Sequence, residues 1–232
     1  MEQERKLILD TETTGLDYEN DKIIEIGIVE LIDNVLTQNY FHEYINPNIE
    51  VSISAQKVHG ITNEFLLDKP TFNNIAQRFL DFVKNDTIII HNANFDTNFI
   101  NRELQHCGFE KIKNAIIDTI KIAKKEFPGQ TVNLDSLCRK LNIINTRQNY
   151  HGALLDATLL SKVYLRLTTG KQENLNLLDT KSKDLSEDIY NFNYKSVFTV
   201  PRKNLMVLSE SEKEKHENFV DEMTDPLWKK IK

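Results

Sequence analysis

Three short runs of this sequence place acids and a histidine where metal-assisted hydrolysis would need them. Asp10-Thr-Glu12-Thr-Thr-Gly15 closes an apolar run, Asn92-Ala-Asn-Phe-Asp96 follows another, and His151-Gly-Ala-Leu-Leu-Asp156 opens a third. Two residues apart on a strand, Asp10 and Glu12 leave the same face, with roughly 6–7 Å between their Cα atoms. Carboxylates converging over that distance can flank two cations about 3.5–4 Å apart. Oxygen-only ligation favours Mg²⁺ or Mn²⁺ over zinc. A solvated strand end can also carry two acids, so this pair gains meaning only beside the other two runs.

Asn92 and Asp96 share a helical face if the helix has already begun at Asn92. Asp96 could then hold a second cation through water, and Asn92 could orient substrate; helix capping is the alternative use of Asn92 and Asn94. His151 and Asp156 are five apart, about 140° around a helix, so they do not share one face. His151 therefore belongs to the segment entering a helix, and Asp156 to that helix's inner face among Leu154, Leu155 and Leu159. A carboxylate in that company needs a partner, which a cation would provide. An imidazole titrating near neutrality can take a proton from an attacking water. Four carboxylates and a histidine thus suit phosphodiester cleavage.

The elements that must aim these groups are visible as patterns. Residues 6–10, 23–31 and 40–45 read as three successive strands, rich in Ile, Val, Leu and Phe and parted by turn-formers such as Asp33-Asn34. Thr71 opens a helix, with Phe72, Ile75, Phe79, Phe82 and Val83 at helical spacing. Residues 87–91 form a short buried strand, a helix begins near Asn94, and residues 116–118 are a fifth strand. Residues 134–141 and 154–167 supply two more helices. Three strands followed by strands alternating with helices predict an α/β fold, a mixed five-stranded sheet flanked by helices. The pattern stops near Gly170. Residues 171–199 are polar and read as a linker. Order is expected to return at Leu205-Met-Val-Leu208, and Ser209-Glu-Ser-Glu212 has the form of a capping box. The organisation predicted is one domain over 1–170, a linker over 171–199 and a docking tail over 200–232.

The 232 residues carry a formal charge of −6, with 40% hydrophobic and 28% charged residues, ordinary for a soluble globular protein. No apolar stretch reaches membrane-spanning length, and the N-terminus has no signal-peptide core. Cys107 and Cys138 lack metal spacing and suit a reducing cytoplasm. A protein capturing DNA unaided is normally basic. Here Lys and Arg gather between positions 111 and 147, eight against three acids. That stretch reads either as solvated helix faces or as part of a nucleic-acid surface. The net acidity points to substrate handed over by a partner.

Together the motifs resemble the DEDDh 3′–5′ exonucleases of the ribonuclease H-like fold, and within them the proofreading epsilon subunits of bacterial DNA polymerase III. The resemblance spans about residues 6–169. It rests on Leu9-Asp-Thr-Glu-Thr-Thr-Gly-Leu16, Lys22-Ile-Ile-Glu-Ile-Gly27, Val58-His-Gly-Ile-Thr62, Glu64-Phe-Leu-Leu-Asp-Lys-Pro-Thr-Phe72, Ile90-His-Asn-Ala-Asn-Phe-Asp96, Phe127-Pro-Gly129 and His151-Gly-Ala-Leu-Leu-Asp-Ala157. It implies Asp10, Glu12, Asp96 and Asp156 as ligands of two Mg²⁺ or Mn²⁺ ions and His151 as general base. It also implies that His59 contacts the terminal nucleotide and that Thr13, Thr14 and Gly15 border the 3′ end. Leu16 would wedge between bases. Ser54 stands where relatives carry an acid, which leaves its role open.

The activity so implied is removal of one nucleotide at a time from a single-stranded or frayed DNA 3′ end. A mismatch lowers the unpairing cost and gives selectivity without base reading. Gln172-Glu-Asn-Leu175-Asn-Leu177 resembles a sliding-clamp-binding peptide of the form Q-x-x-L-x-L. Residues 205–228 resemble the segment that anchors such subunits to the polymerase alpha subunit, and the family suggests a small third subunit of the theta kind. Asp10-x-Glu12-x-Thr14 also faintly resembles the nucleophile segment of haloacid-dehalogenase-type phosphatases, but the late Gly-Asp-x-x-x-Asp-like pair they need is absent. An RNA-trimming or repair DEDDh nuclease fits the catalytic motifs equally well; the tail favours replication.

Overall fold

A computed structural model describes residues 3–145 and 150–169. The linker, the 172–177 peptide and the 200–232 tail anticipated above lie outside the described residues. A five-stranded sheet has the order β3-β2-β1-β4-β5, built from β1 (Arg5–Thr13), β2 (Ile23–Ile32), β3 (Val35–Tyr44), β4 (Thr87–Ile90) and β5 (Ile116–Asp118). β1 pairs antiparallel with β2 and parallel with β4, and β4 pairs parallel with β5. The sheet is mixed, as the sequence pattern predicts.

Leu7, Ile8 and Leu9 are all fully buried because both faces of β1 are covered. Leu7 and Leu9 join Phe79 and Phe99 in a core formed with α3 (Phe72–Val83) and α4 (Ala93–His106). Residues of the other parity, Ile8, Asp10 and Glu12, face the side where α7 (Ala153–Thr168) packs on β1 and β2. Asp33 and Asn34 both have positive φ, 51° and 64°, which tightens the β2–β3 hairpin at the anticipated turn.

Three helices were not anticipated from the sequence: α1 (Ile53–His59), α2 (Asn63–Leu66) and α5 (Thr119–Glu126). In α1 Ile53 and Val58 are exposed and only His59 is buried. Its ends are set by local chemistry instead. Ser52 Oγ accepts from the Ala55 amide, and Gly60 at φ 73° terminates the turn. β3 starts five residues earlier than expected because it is an edge strand with one solvated face, so its apolar content is diluted. The remaining helices of the described residues, α3, α4, α6 (Leu134–Lys140) and α7, lie where the sequence pattern predicts them.

Candidate active site

The parallel pairing of β1 with β4 and of β4 with β5 brings three carboxyl ends to one edge, where α/β sheets bind ligands. β1 extends through Thr13, so Asp10 and Glu12 lie inside the strand, pointing toward α7. What lets α7 come close enough is Gly27, opposite Asp10 on β2. A Cβ there would stand 2.2 Å from the Leu154 amide nitrogen and 2.3 Å from the Ala153 carbonyl carbon. The first turn of α7 therefore rests on bare strand backbone.

That contact delivers His151 and Asp156. His151 precedes the helix, Gly152 is its N-cap, and Asp156 sits in the first turn, 4% exposed. His151 Nδ1 and Asp156 Oδ2 are 3.1 Å apart. One ligating atom each from Glu12, His151 and Asp156 lies within 4.8 Å of the others. Among the described residues this is the only such grouping of three, and Asp10 and Asp96 stand outside it. Two carboxylates and an imidazole at that range fit a divalent cation, and the oxygens favour a hard one.

Asp96 approaches from the other face of β1. It lies in the first turn of α4, 3% exposed, and its Oδ1 accepts from Thr11 Oγ1 at 2.7 Å. Burial pushes its carboxyl up to about 7; the Thr11 hydroxyl opposes that shift and the Asp118 charge adds to it. The condition for Asn92 and Asp96 to share a helical face is not met. Asn92 is the N-cap residue in left-handed conformation, φ 69°, and α4 begins at Ala93. Nor does its side chain make the capping bond. The Asn92 backbone N–H donates to Asp118 Oδ1 at 3.3 Å, which fixes the β4–α4 turn to the end of β5.

The other anticipated residues lie as follows. His59 is 4% exposed, and its Nδ1 accepts from the Ile61 amide at 3.0 Å, so the neutral ring carries its proton on Nε2. That Nε2 is buried without a hydrogen-bond partner among the described residues. Burial holds the ring below its ordinary value, while the Glu25 charge pulls the other way. Thr13 Oγ1 donates to the Gly15 carbonyl at 2.5 Å. Thr14 is fully buried and bonded to Asp21 Oδ1 (2.8 Å) and the Lys22 amide (3.0 Å). Leu16 is 85% exposed. Ser54 is exposed on α1, its hydroxyl 3.1 Å from that of Ser52.

Sequence reasoning assigned no role to four residues that shape this site: Thr11, Glu25, Gly27 and Asp118. Glu25 lies opposite Glu12 in the β1–β2 register, 2% exposed, and bonds His42 Nε2 at 2.8 Å. Its signal was available, an acid within an apolar strand. Thr11 looked like the spacer between two acids.

Profile comparison matches the family described as exonuclease over residues 7–164. The DNA polymerase III subunit epsilon of Rickettsia typhi is 42% identical over 226 residues, 94% of this chain and 96% of that protein. The corresponding protein of Buchnera aphidicola subsp. Acyrthosiphon pisum is 42% identical over 249 aligned positions, 98% and 100% of the two chains. This chain belongs to the exonuclease family, in its DNA polymerase III epsilon branch. Among solved structures, exonuclease X in complex with 5′-overhanging duplex DNA is 26% identical, with a TM-score of 0.58 over 71% of this chain and 91% of that one. The nuclease domain of 3′hExo, a DEDDh family member, shares the fold with a TM-score of 0.63 at 20% identity, over 72% and 92%. The ribonuclease H-like architecture expected from the motifs is thus present, and the protein is a 3′–5′ exonuclease of the proofreading class. The family works with two divalent metal ions, and no helix of the described residues is long and apolar enough to cross a membrane.

Proposed function

We propose that Asp10, Glu12, Asp96 and Asp156 hold two Mg²⁺ or Mn²⁺ ions and that His151 is the general base removing 3′-terminal nucleotides from DNA. The convergence of Glu12, His151 and Asp156 carries this reading. Cations bound there would stabilise negative charge building on the phosphate oxygens. Asp156 also orients the base, because an Nδ1–H donated to its Oδ2 leaves a lone pair on His151 Nε2. The His151 side chain is 41% exposed, so water can reach it. His59 Nε2–H is a donor held ready for the nucleotide, and Leu16, Thr13, Gly15, Ser54 and Asn92 border its path. Single-stranded or frayed DNA ends enter most readily, because the reacting nucleotide must leave its duplex.

In replication this activity proofreads as the epsilon subunit of DNA polymerase III. Residues 200–232 anchor the chain to the polymerase alpha subunit, and Gln172, Leu175 and Leu177 engage the sliding clamp. A small third subunit completes the assembly in the cytoplasm. Tethering supplies effective concentration and explains how an acidic nuclease needs little DNA affinity of its own. One assay tests the chemistry, namely digestion of a 3′-mismatched primer–template in Mg²⁺ by Asp10→Ala and His151→Ala. Both should lose at least about a hundredfold in rate while still binding the alpha subunit. Hydrolysis retained by both variants rejects the site. Replacing Gln172 and Leu177 with Ala should abolish clamp binding alone; unchanged capture by immobilised clamp rejects that contact.

A further inference from the structure

The His151 side chain is partly exposed, and its ring lies within hydrogen-bond distance of the Asp156 carboxylate. The residue before it supplies a further constraint. Tyr150 lays its ring on Gly60, the C-cap of α1: a Cβ added to Gly60 would stand 2.9 Å from Cγ and 3.0 Å from Cδ1 and Cδ2. Contact at that depth is open only to glycine, whose φ of 73° is also unfavourable for other residues. Beside it the His151 amide donates to the Val58 carbonyl at 3.0 Å. α1 is tied at its other end to the catalytic strand, because the Ser52 amide donates to the Thr14 carbonyl at 3.1 Å. His59, the α1 residue aimed at the nucleotide, lies between Val58 and Gly60.

We infer that Tyr150 is a positioning residue that locks the backbone carrying His151 onto α1, so that the helix contacting the nucleotide also sets the place of the base. The inference rests on His151 being the base. Without the ring, that backbone loses a contact with α1, and the imidazole samples positions away from the attacking water. A misplacement near 1 Å is enough to slow such a step strongly. Tyr150 is 39% exposed, so its truncation removes little core.

A double-mutant cycle tests this. Single-turnover and steady-state rates are measured for Tyr150→Ala, Gly60→Ala and the pair, well below each melting temperature. Each single change should lower kcat about tenfold, and Tyr150→Ala should leave KM and binding of a mononucleotide within twofold of the parent. Tyr150→Phe, which keeps the ring, should restore most of the turnover. Because both changes break one contact, the pair should be no slower than the slower single variant. Unchanged kcat in Tyr150→Ala overturns the inference. So does a loss confined to KM, which would make the ring a substrate contact, and so does a multiplicative loss near a hundredfold in the pair. His151→Gln run alongside separates the layers: if it retains turnover, the base assignment itself fails. If it is inactive while Tyr150→Ala is normal, only the inference falls.

Discussion

Adding one methyl group at Gly27 should disable the nuclease without unfolding it. Ordinary contact begins near 3.4 Å, whereas the new Cβ would stand 2.2 Å from the Leu154 nitrogen and 2.3 Å from the Ala153 carbonyl carbon. Strand and helix must part by about 1.2 Å to restore contact distance. Neither side can yield by rotating a side chain, because both contacts are backbone. Overpacking of this kind costs about 1–3 kcal/mol. At 2–4 °C per kcal/mol for a chain of this size, that is a melting point lower by roughly 2–12 °C. The kinetic cost is larger in proportion. The turn that moves carries Asp156 and adjoins His151, both within 4.8 Å of a Glu12 ligand atom that does not move with them. A displacement near 1 Å at reacting groups is worth about a hundredfold in rate. The assay is digestion of a fluorescent 3′-mismatched oligonucleotide under saturating Mg²⁺, paired with calorimetric melting. Gly27→Ala with kcat within twofold of the parent, or a melting point unchanged within 1 °C, would refute the account of how α7 is seated.

Asp96 makes a pH-dependent contribution whose sign follows from its raised carboxyl. Its folded value of about 7 lies above the ordinary 3.8, so between these the native state holds a proton the unfolded state has lost. Stability from this group is present below about pH 4 and is lost as pH rises toward 7. In EDTA, the melting-point advantage of the parent over Asp96→Asn should shrink between pH 5 and 7.5; parallel melting curves reject the shift. Thr11→Val removes the hydroxyl that favours ionised Asp96 and should raise the Mg²⁺ concentration for half-maximal activity about tenfold, a loss near 1.4 kcal/mol. An unchanged metal titration rejects that role. Phe79→Ala empties the centre of the α3 face, fully buried against the sheet, and should cost about 3–5 kcal/mol in urea unfolding. A cost below 1 kcal/mol would mean that the core is not where the packing places it.

The sequence by itself determined the sheet and singled out the candidate catalytic groups. Buried strands announce themselves by unbroken runs such as Thr87-Ile-Ile-Ile-His91, and α3 by apolar residues at helical spacing, because burial selects residue type directly. The acids at 10, 12, 96 and 156 and His151 stood out because charge at the end of an apolar run is costly without a purpose. Three things depended on tertiary structure. α1 buries only His59 and α5 spans just two turns, too short for a pattern to stand out, so caps such as Ser52 and Asp118 mark where they start. The left-handed turn at Asn92, held by Asp118 from another strand, decided that Asp96 reaches the edge from the opposite side to Glu12. Gly27 and the Tyr150–Gly60 contact matter through an absent side chain. A missing Cβ has meaning only once another segment of chain is known to lie where it would have been.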